Sequence, residues 1–166
     1  MADGAKAATV NRRLAALRRG LRIAAKLDLV VKHVEVPQYP ENEPRQGFLE
    51  PAEFSQLVPH LPDDGLRAFV RWLYASGMRV GEARQLEWKD VQGDVLRVRG
   101  STTKNGRSRQ LPLAGQLGAI IAGQRQCRKL DCPTIFHRDG APIGEFRAAW
   151  RKATKAAGLT GLLIHD

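Results

Sequence analysis

Residues 77–91 read GMRVGEARQLEWKDV, and they mark the place where helical periodicity gives way to strand-like alternation. Before them, apolar residues spaced three and four apart predict a helix that an aspartate caps and Gly77 ends. The members of that apolar stripe are Leu66, Phe69, Val70, Leu73 and Tyr74. A short second helix is predicted over residues 80–86, and residues 95–99 then alternate with period two, as in a strand. The change of period predicts an α+β fold.

Other predicted elements extend this pattern in both directions. A basic amphipathic helix is predicted from residue 8 to about residue 27, and Pro51 suits the first turn of another helix. The dipeptide Asn105-Gly106 indicates a tight type I′ hairpin. Further helices are predicted around residues 117–121 and 146–157. We therefore expect a mainly helical fold with a small antiparallel β-sheet or hairpin.

The charge of the chain is strongly positive. Its 166 residues include 27 lysines and arginines against 17 acidic residues, a formal charge of +10. Residues 1–46 contribute 9 minus 5, or +4, and residues 47–166 contribute 18 minus 12, or +6. Five basic residues and no acid lie within residues 97–109, namely Arg97, Arg99, Lys104, Arg107 and Arg109. Such a surface favours nucleic acid as a partner, although a solvated charged face is the plain alternative.

Composition argues against several classes of protein. Cys127 and Cys132 lack the spacing of a zinc motif or a disulfide framework, which fits a reducing cytoplasm. The histidines His33, His60 and His137 show no metal-ligand spacing, so neither a metal nor another cofactor is predicted. No apolar run approaches the roughly 20 residues of a membrane span. We expect a soluble cytoplasmic protein that is associated with the nucleoid and has no membrane partner.

Three basic side chains are candidates for chemistry. Arg79 begins a predicted helix, beside N–H groups that favour a phosphate, and Glu82 lies three residues on along the same face. The alternative is a surface ion pair worth at most about 1 kcal/mol. Lys104 flanks the predicted turn, whose tip suits a DNA groove, although a solvated lysine is the commoner case there. His165 and Asp166 end the sequence after an apolar run.

Taken in order, four segments resemble the catalytic domain of the tyrosine recombinase, or phage integrase, family. Residues 47–54 (GFLEPAEF) are similar to its opening helix, and residues 77–82 followed by 86–91 (LEWKDV) to its first arginine box. Residues 103–113 (TKNGRSRQLPL) resemble its lysine hairpin, and residues 156–166 the approach to its second box. The order and the spacing make this resemblance specific.

The resemblance implies a metal-free mechanism with no cofactor. A tyrosine would attack a DNA phosphate, giving a 3′-phosphotyrosine and a free 5′-hydroxyl. Arg79 would bind a non-bridging oxygen, Lys104 would protonate the leaving 5′-oxygen, and His165 would bind the phosphate and assist proton transfer. Glu82 and Asp90 would support them. Expected DNA contacts are Arg97, Arg99, Arg107, Arg109, Arg12 and Arg19.

The same resemblance implies a domain organisation and partners. Residues 1–35 would supply the last helix of an incomplete core-binding domain. Residues 36–46, which hold three prolines, would form a linker, and residues 47–166 would form the first two-thirds of the catalytic domain. The partner would be double-stranded DNA, bound by a homo-oligomer that in the family is a tetramer.

The sequence also departs from the family pattern. The second arginine of the family stands three residues after the histidine, and the tyrosine follows later; both positions would fall beyond Asp166. Tyr39 lies in the predicted linker and Tyr74 on a core-facing stripe, so neither is a credible nucleophile. We therefore expect a truncated piece that binds DNA without cleaving it.

Three alternative functions stay open at this point. The first is a non-catalytic DNA-binding remnant, or a regulator of an intact recombinase. The second is an RNA-binding protein, which charge alone favours. The usual signs of that class, a glycine-rich backbone clamp or exposed sheet aromatics, are not apparent in the sequence. The third is a type IB topoisomerase, which fits the short linker and compact hairpin less well.

Overall fold

The computed structural model describes residues 4–29, 34–41, 48–103 and 105–164. The chain divides into two compact units, Met1–Gln46 and Gly47–Asp166. The first unit contains helix α1 (Ala7–Lys26). An irregular segment of the same unit is hydrogen-bonded to this helix, since the buried Asn11 side chain donates to the Tyr39 carbonyl (2.8 Å) and accepts from the Tyr39 N–H (2.9 Å). Residues 42–47 lie outside the described residues, so the linker over 36–46 stays a prediction.

The described part of the second unit contains five helices and two small antiparallel sheets. The helices are α2 (Pro51–Leu57), α3 (Asp64–Ser76), α4 (Val80–Arg84), α5 (Gly115–Gln126) and α6 (Arg147–Ala156). One sheet has the order β1 (Val91–Gln92), β2 (Val95–Val98), β3 (Arg109–Pro112); the other pairs β4 (His137–Arg138) with β5 (Ala141–Pro142). Short 3-10 turns cover Val58–His60, Trp88–Asp90 and Gly100–Thr102. The predicted fold class, mainly helical with a small antiparallel sheet, is confirmed.

Helix α3 lies at the centre of the second unit. Its N-cap is Asp63, whose side chain accepts from the Leu66 N–H (2.8 Å), and it ends at Gly77, whose φ of 62° suits a residue without a side chain. The helix packs against α5, α4 and β4. Trp72, fully buried although it is outside the predicted stripe, contacts Phe136 with ring centroids 5.6 Å apart and ring planes inclined at 46°. The helix is therefore covered from more than one side.

The connection between β2 and β3 differs from its prediction. The two strands pair from Val95 with Pro112 to Val98 with Arg109, so residues 99–108 form a wide loop. Gly106 has a positive φ (66°), but its N–H donates to the Thr103 carbonyl (3.2 Å), one residue earlier than in a type I′ turn centred on Asn105-Gly106. The tight two-residue turn was a wrong prediction, because the chain forms the 3-10 turn Gly100–Thr102 before it returns.

The neck of this loop is narrow. A Cβ atom added to Gly100 would stand 2.6 Å from the carbonyl oxygen of Gly106 and 3.2 Å from the N of Ser108. Real Cβ atoms essentially never approach backbone this closely. The two sides of the loop can therefore meet only because residue 100 has no side chain.

Candidate functional site

Arg79 stands where α3 ends and α4 begins. It is the N-cap residue of α4, and its carbonyl accepts from the N–H groups of Glu82 and Ala83 (3.0 Å each). The side chain of Arg79 is 59% exposed, and its Nη1 donates to Glu82 Oε1 at 3.1 Å. Because a guanidinium has five N–H donors, this single contact leaves others for a ligand.

Glu82 joins two arginines that are distant in sequence. It is only 3% exposed, and its second oxygen, Oε2, accepts from Arg109 Nη2 at 2.7 Å. A buried carboxylate without a cationic partner is costly, so the pairing explains how this acid is tolerated in the core. The predicted pair of Arg79 with Glu82 is thus part of a three-residue cluster with a net charge of +1.

A second ion-pair network lies at the other end of the same segment. Arg99 Nε contacts Asp90 Oδ1 (3.1 Å), while Nη2 contacts Glu87 Oε1 (3.1 Å) and donates to the Gln85 carbonyl (2.6 Å). Asp90, 5% exposed, also accepts from the Glu87 N–H at 2.9 Å. Hydrogen bonding from Lys89 (2.6 Å) is the main cause that lowers the pKa of Glu87, opposed by desolvation and assisted by Arg99.

The remaining arginines of the basic run point to solvent. Arg97 pairs across the sheet with Gln110, and both are exposed, whereas the neighbouring positions Leu96 and Val98 are fully buried. Arg107 is exposed in the loop.

Arg12 and Arg19 are exposed on α1 within the first unit.

Two cavities of the second unit border Arg79. One, of about 510 Å³, lies between the start of α4 and the loop residues Thr102 and Thr103, with Glu82 in its wall. The other, of about 270 Å³, is mostly apolar and includes Tyr74 and Ile164. Lys104 and His165 lie outside the described residues, but their sequence neighbours Thr103 and Ile164 each line a cavity that also contains Arg79.

The described tyrosine of the second unit is held in place. The ring of Tyr74 stacks on Phe54 at a centroid distance of 3.9 Å, and its hydroxyl donates to the Leu49 carbonyl (3.2 Å). Among the described residues, no three side chains of His, Cys, Asp or Glu converge as metal ligands. In the same ranges, no helix combines the length and the apolar character that crossing a bilayer requires.

Comparison with known proteins decides the family. The model of the Phage integrase family matches residues 48–166. The chain belongs to this family. A putative integrase/recombinase, y4rF, of Sinorhizobium fredii (strain NBRC 101917 / NGR234) is 32% identical over 85 residues, which are 50% of this chain and 20% of that relative. The chain therefore matches about a fifth of the length of that relative.

Solved structures give the same fold. A lambda integrase tetramer bound to a Holliday junction has a TM-score of 0.73 at 20% identity, over 95% of this chain and 47% of that one. The Tn1549 transposon integrase (residues 82–397), in complex with circular intermediate DNA, has a TM-score of 0.74 at 16% identity, over 98% and 64%. XerA recombinase has a TM-score of 0.56 at 20% identity, over 98% and 66%. At these identities, the likeness establishes the fold alone.

Local sequence spacing accounts for one contact of the site, and other contacts depend on the tertiary fold. The pair of Arg79 with Glu82 follows from helical spacing. The pairing of Arg109 with Glu82 spans 27 residues, and no local sequence pattern predicts this contact. Likewise, period two would place Arg99 on the same face as Arg97, but β2 ends at Val98 and Arg99 instead bonds to residues 85–90.

Proposed function

We propose that this chain binds duplex DNA and supplies the phosphate-binding part of a site for DNA strand breaking and rejoining by a phosphotyrosine mechanism, in site-specific recombination or integration. Arg79 would contact a non-bridging oxygen of the phosphate and stabilise its added negative charge. The observation that carries the proposal is an exposed guanidinium fixed by a buried carboxylate, in a chain of the phage integrase family.

The other proposed roles follow the family pattern. Lys104 would protonate the leaving 5′-oxygen, and His165 would bind the phosphate and assist proton transfer. The positions of Thr103 and Ile164 in cavities that contain Arg79 support this assignment. Glu82 would orient Arg79, and Asp90 would act indirectly through Arg99. No metal or cofactor enters this mechanism.

Further DNA contacts and the assembly are also proposals. Arg97 and Arg107 would bind backbone phosphates, since both are exposed. Arg12 and Arg19 on α1 would do the same as part of a core-binding domain over residues 1–35, with residues 36–46 as linker. The tetramer of lambda integrase on a Holliday junction supports assembly of several copies on DNA, which would place the chain at the nucleoid.

Binding is tested by titrating the 166-residue chain against a fluorescent duplex. Affinity should fall steeply between about 50 and 200 mM salt as counterions are released. Arg79→Ala should lower affinity about tenfold, the effect of one charge-assisted contact. Arg79→Lys is the matched variant, because it keeps the charge and loses the planar fork. A flat salt response, or equal binding by Arg79→Ala, would contradict the proposal.

A second, non-catalytic role, as a DNA-binding remnant or a regulator of an intact recombinase, is supported by the tyrosines. The sequence has two, Tyr39 and Tyr74, and the Tyr74 hydroxyl is engaged by Leu49. We expect the 166-residue chain to bind supercoiled DNA without nicking it or forming an adduct stable in detergent. A covalent adduct that Tyr74→Phe abolishes would refute this role. Preference for duplex RNA over duplex DNA would instead favour an RNA-binding protein.

A further inference from the structure

We infer that Arg109 is a positioning residue that orients Arg79 through Glu82, and that Arg109 does not itself contact DNA. The inference deepens the proposed function and rests on it, since it presupposes that Arg79 binds a phosphate. It separates Arg109, which is 44% exposed but bound to the buried Glu82, from Arg97 and Arg107 in the same basic run.

The strand register directs the Arg109 side chain toward the protein. Residues directly opposite each other in antiparallel strands project to the same face of the sheet. Arg109 lies opposite Val98, and Leu111 opposite Leu96. Both Val98 and Leu96 are fully buried. The Arg109 side chain therefore leaves β3 on the core-facing side of the sheet and reaches Glu82 while it stays 44% exposed, whereas Arg97 projects from the opposite face.

The two oxygens of Glu82 are divided between the two arginines. Oε2 accepts from Arg109 at 2.7 Å, and Oε1 from Arg79 at 3.1 Å. With Arg109 bound at Oε2, Arg79 meets the carboxylate through Oε1 alone and does not form a bidentate pair across both oxygens. Arg79 is thus oriented by one contact, and its remaining donors stay available. Without Arg109, the buried carboxylate would draw Arg79 across both oxygens and away from a ligand.

The same contact fixes one end of the loop over residues 99–108. Arg109 directly follows the loop and is held by Glu82, while Arg99 begins the loop and is held by the Gln85 carbonyl, Glu87 and Asp90. Both ends of the loop are therefore attached to the segment that follows Arg79. Arg109 is the attachment nearer to Arg79, so its loss should alter the phosphate contact most directly.

A double-mutant cycle on DNA affinity tests the inference. Arg109→Gln should weaken binding of the 166-residue chain to duplex DNA about threefold, a coupling typical of one ion-pair network. In an Arg79→Ala background, the same substitution should cause no further loss, because there is no Arg79 to orient. Arg109→Gln should also add nothing to Glu82→Gln. Arg109→Lys should restore part of the affinity, since a cation at Glu82 is kept.

Arg107→Gln and Arg97→Gln are the matched controls, because each removes the same charge from an exposed arginine nearby. Both should weaken binding by a factor that is unchanged in the Arg79→Ala background. Thermal melting detects a general loss of folding. If Arg109→Gln unfolds, the test uses Arg109→Lys and the double variant Glu82→Gln/Arg109→Gln instead. The double variant leaves no unpaired buried charge.

The outcomes separate the two claims. If Arg79→Ala binds like the wild type, the proposed role of Arg79 fails, and the inference with it. If Arg79→Ala weakens binding but Arg109→Gln weakens it by the same factor in both backgrounds, Arg109 is an ordinary DNA contact and the inference alone is overturned. A threefold effect that disappears in both the Arg79→Ala and Glu82→Gln backgrounds supports it.

Discussion

Arg97 and Arg107 are exposed, whereas Arg99 and Arg109, each two residues further along the chain, are tied to buried acids, although Arg109 stays 44% exposed. All four belong to one basic run within residues 97–109, which contains no acidic residue. The neutralising carboxylates come from an earlier segment, at Glu82, Glu87 and Asp90. The difference teaches that the formal charge of a sequence segment can exceed the positive charge that the folded segment presents to a polyanion, because carboxylates from elsewhere neutralise part of it. Four substitutions would break or sharpen this contrast.

The largest effect is expected for Glu82→Ala. The change removes the buried carboxylate that Arg79 and Arg109 share. Removing one member of such a cluster is strongly destabilising. Because both arginines are partly exposed, water recovers part of the loss, and we expect about 2 kcal/mol less stability. Urea denaturation measures it. Arg79→Ala, which removes an exposed partner, should cost less than about 1 kcal/mol; equal losses would contradict the central place of Glu82.

Arg99→Gln should come next, with a loss of about 1 to 1.5 kcal/mol. The substitution removes the partner of buried Asp90 and of the Gln85 carbonyl. Arg97→Gln, at the exposed position two residues earlier, should change stability by less than about 0.5 kcal/mol. Denaturation of both variants under one set of conditions makes the comparison direct, and similar midpoints would show that the paired and the exposed arginines do not differ.

Arg97→Gln should act on DNA binding instead. If Arg97 neutralises one phosphate, its removal should reduce the slope of log affinity against log salt by about 0.9. Arg99→Gln should change that slope less, because its guanidinium already faces Glu87 and Asp90. Titrations with one duplex at four or more salt concentrations would measure both slopes. A larger change for Arg99→Gln would reverse the assignment of the two residues.

The smallest effect is expected for Glu87 and depends on pH. Its pKa lies below the ordinary value of 4.5, mainly through the hydrogen bond from Lys89 and with help from Arg99. A carboxyl whose folded pKa is lowered adds stability above its unfolded pKa, and that stability is lost as pH falls through the folded value. Glu87→Gln should therefore flatten the fall of the melting temperature below pH 4.5. An unchanged profile would contradict the role of this pair.

Local patterns predicted most of the fold. Helix α3, with an aspartate cap and Gly77 at its end, begins and ends where its cap residues and apolar spacing indicate, and period two marks β2. Trp72 was missed because a single stripe describes a helix that is covered on one side, and α3 is covered on several. Tyr74 was assigned to the core and is 39% exposed. The stripe therefore located the helix better than it located its buried face.

The site was predictable to the extent that it is local. Arg79 and Glu82 are one helical turn apart, so their contact follows from spacing. The contacts of Arg109 and Arg99 depend on how β2 and β3 pair and on where the strand ends, and these are tertiary facts. The Asn105-Gly106 signal was outweighed by the 3-10 turn at Gly100–Thr102, which widens the connection.

Gly100 gives this loop a property that charge does not. The backbone of Gly106 and Ser108 occupies the space that a side chain at position 100 would need. A methyl group there would clash with this backbone and separate the two sides of the loop. Every guanidinium and carboxylate would be retained while the tip was displaced. The close approach of the two sides thus depends on the absence of a side chain at Gly100, an uncharged position.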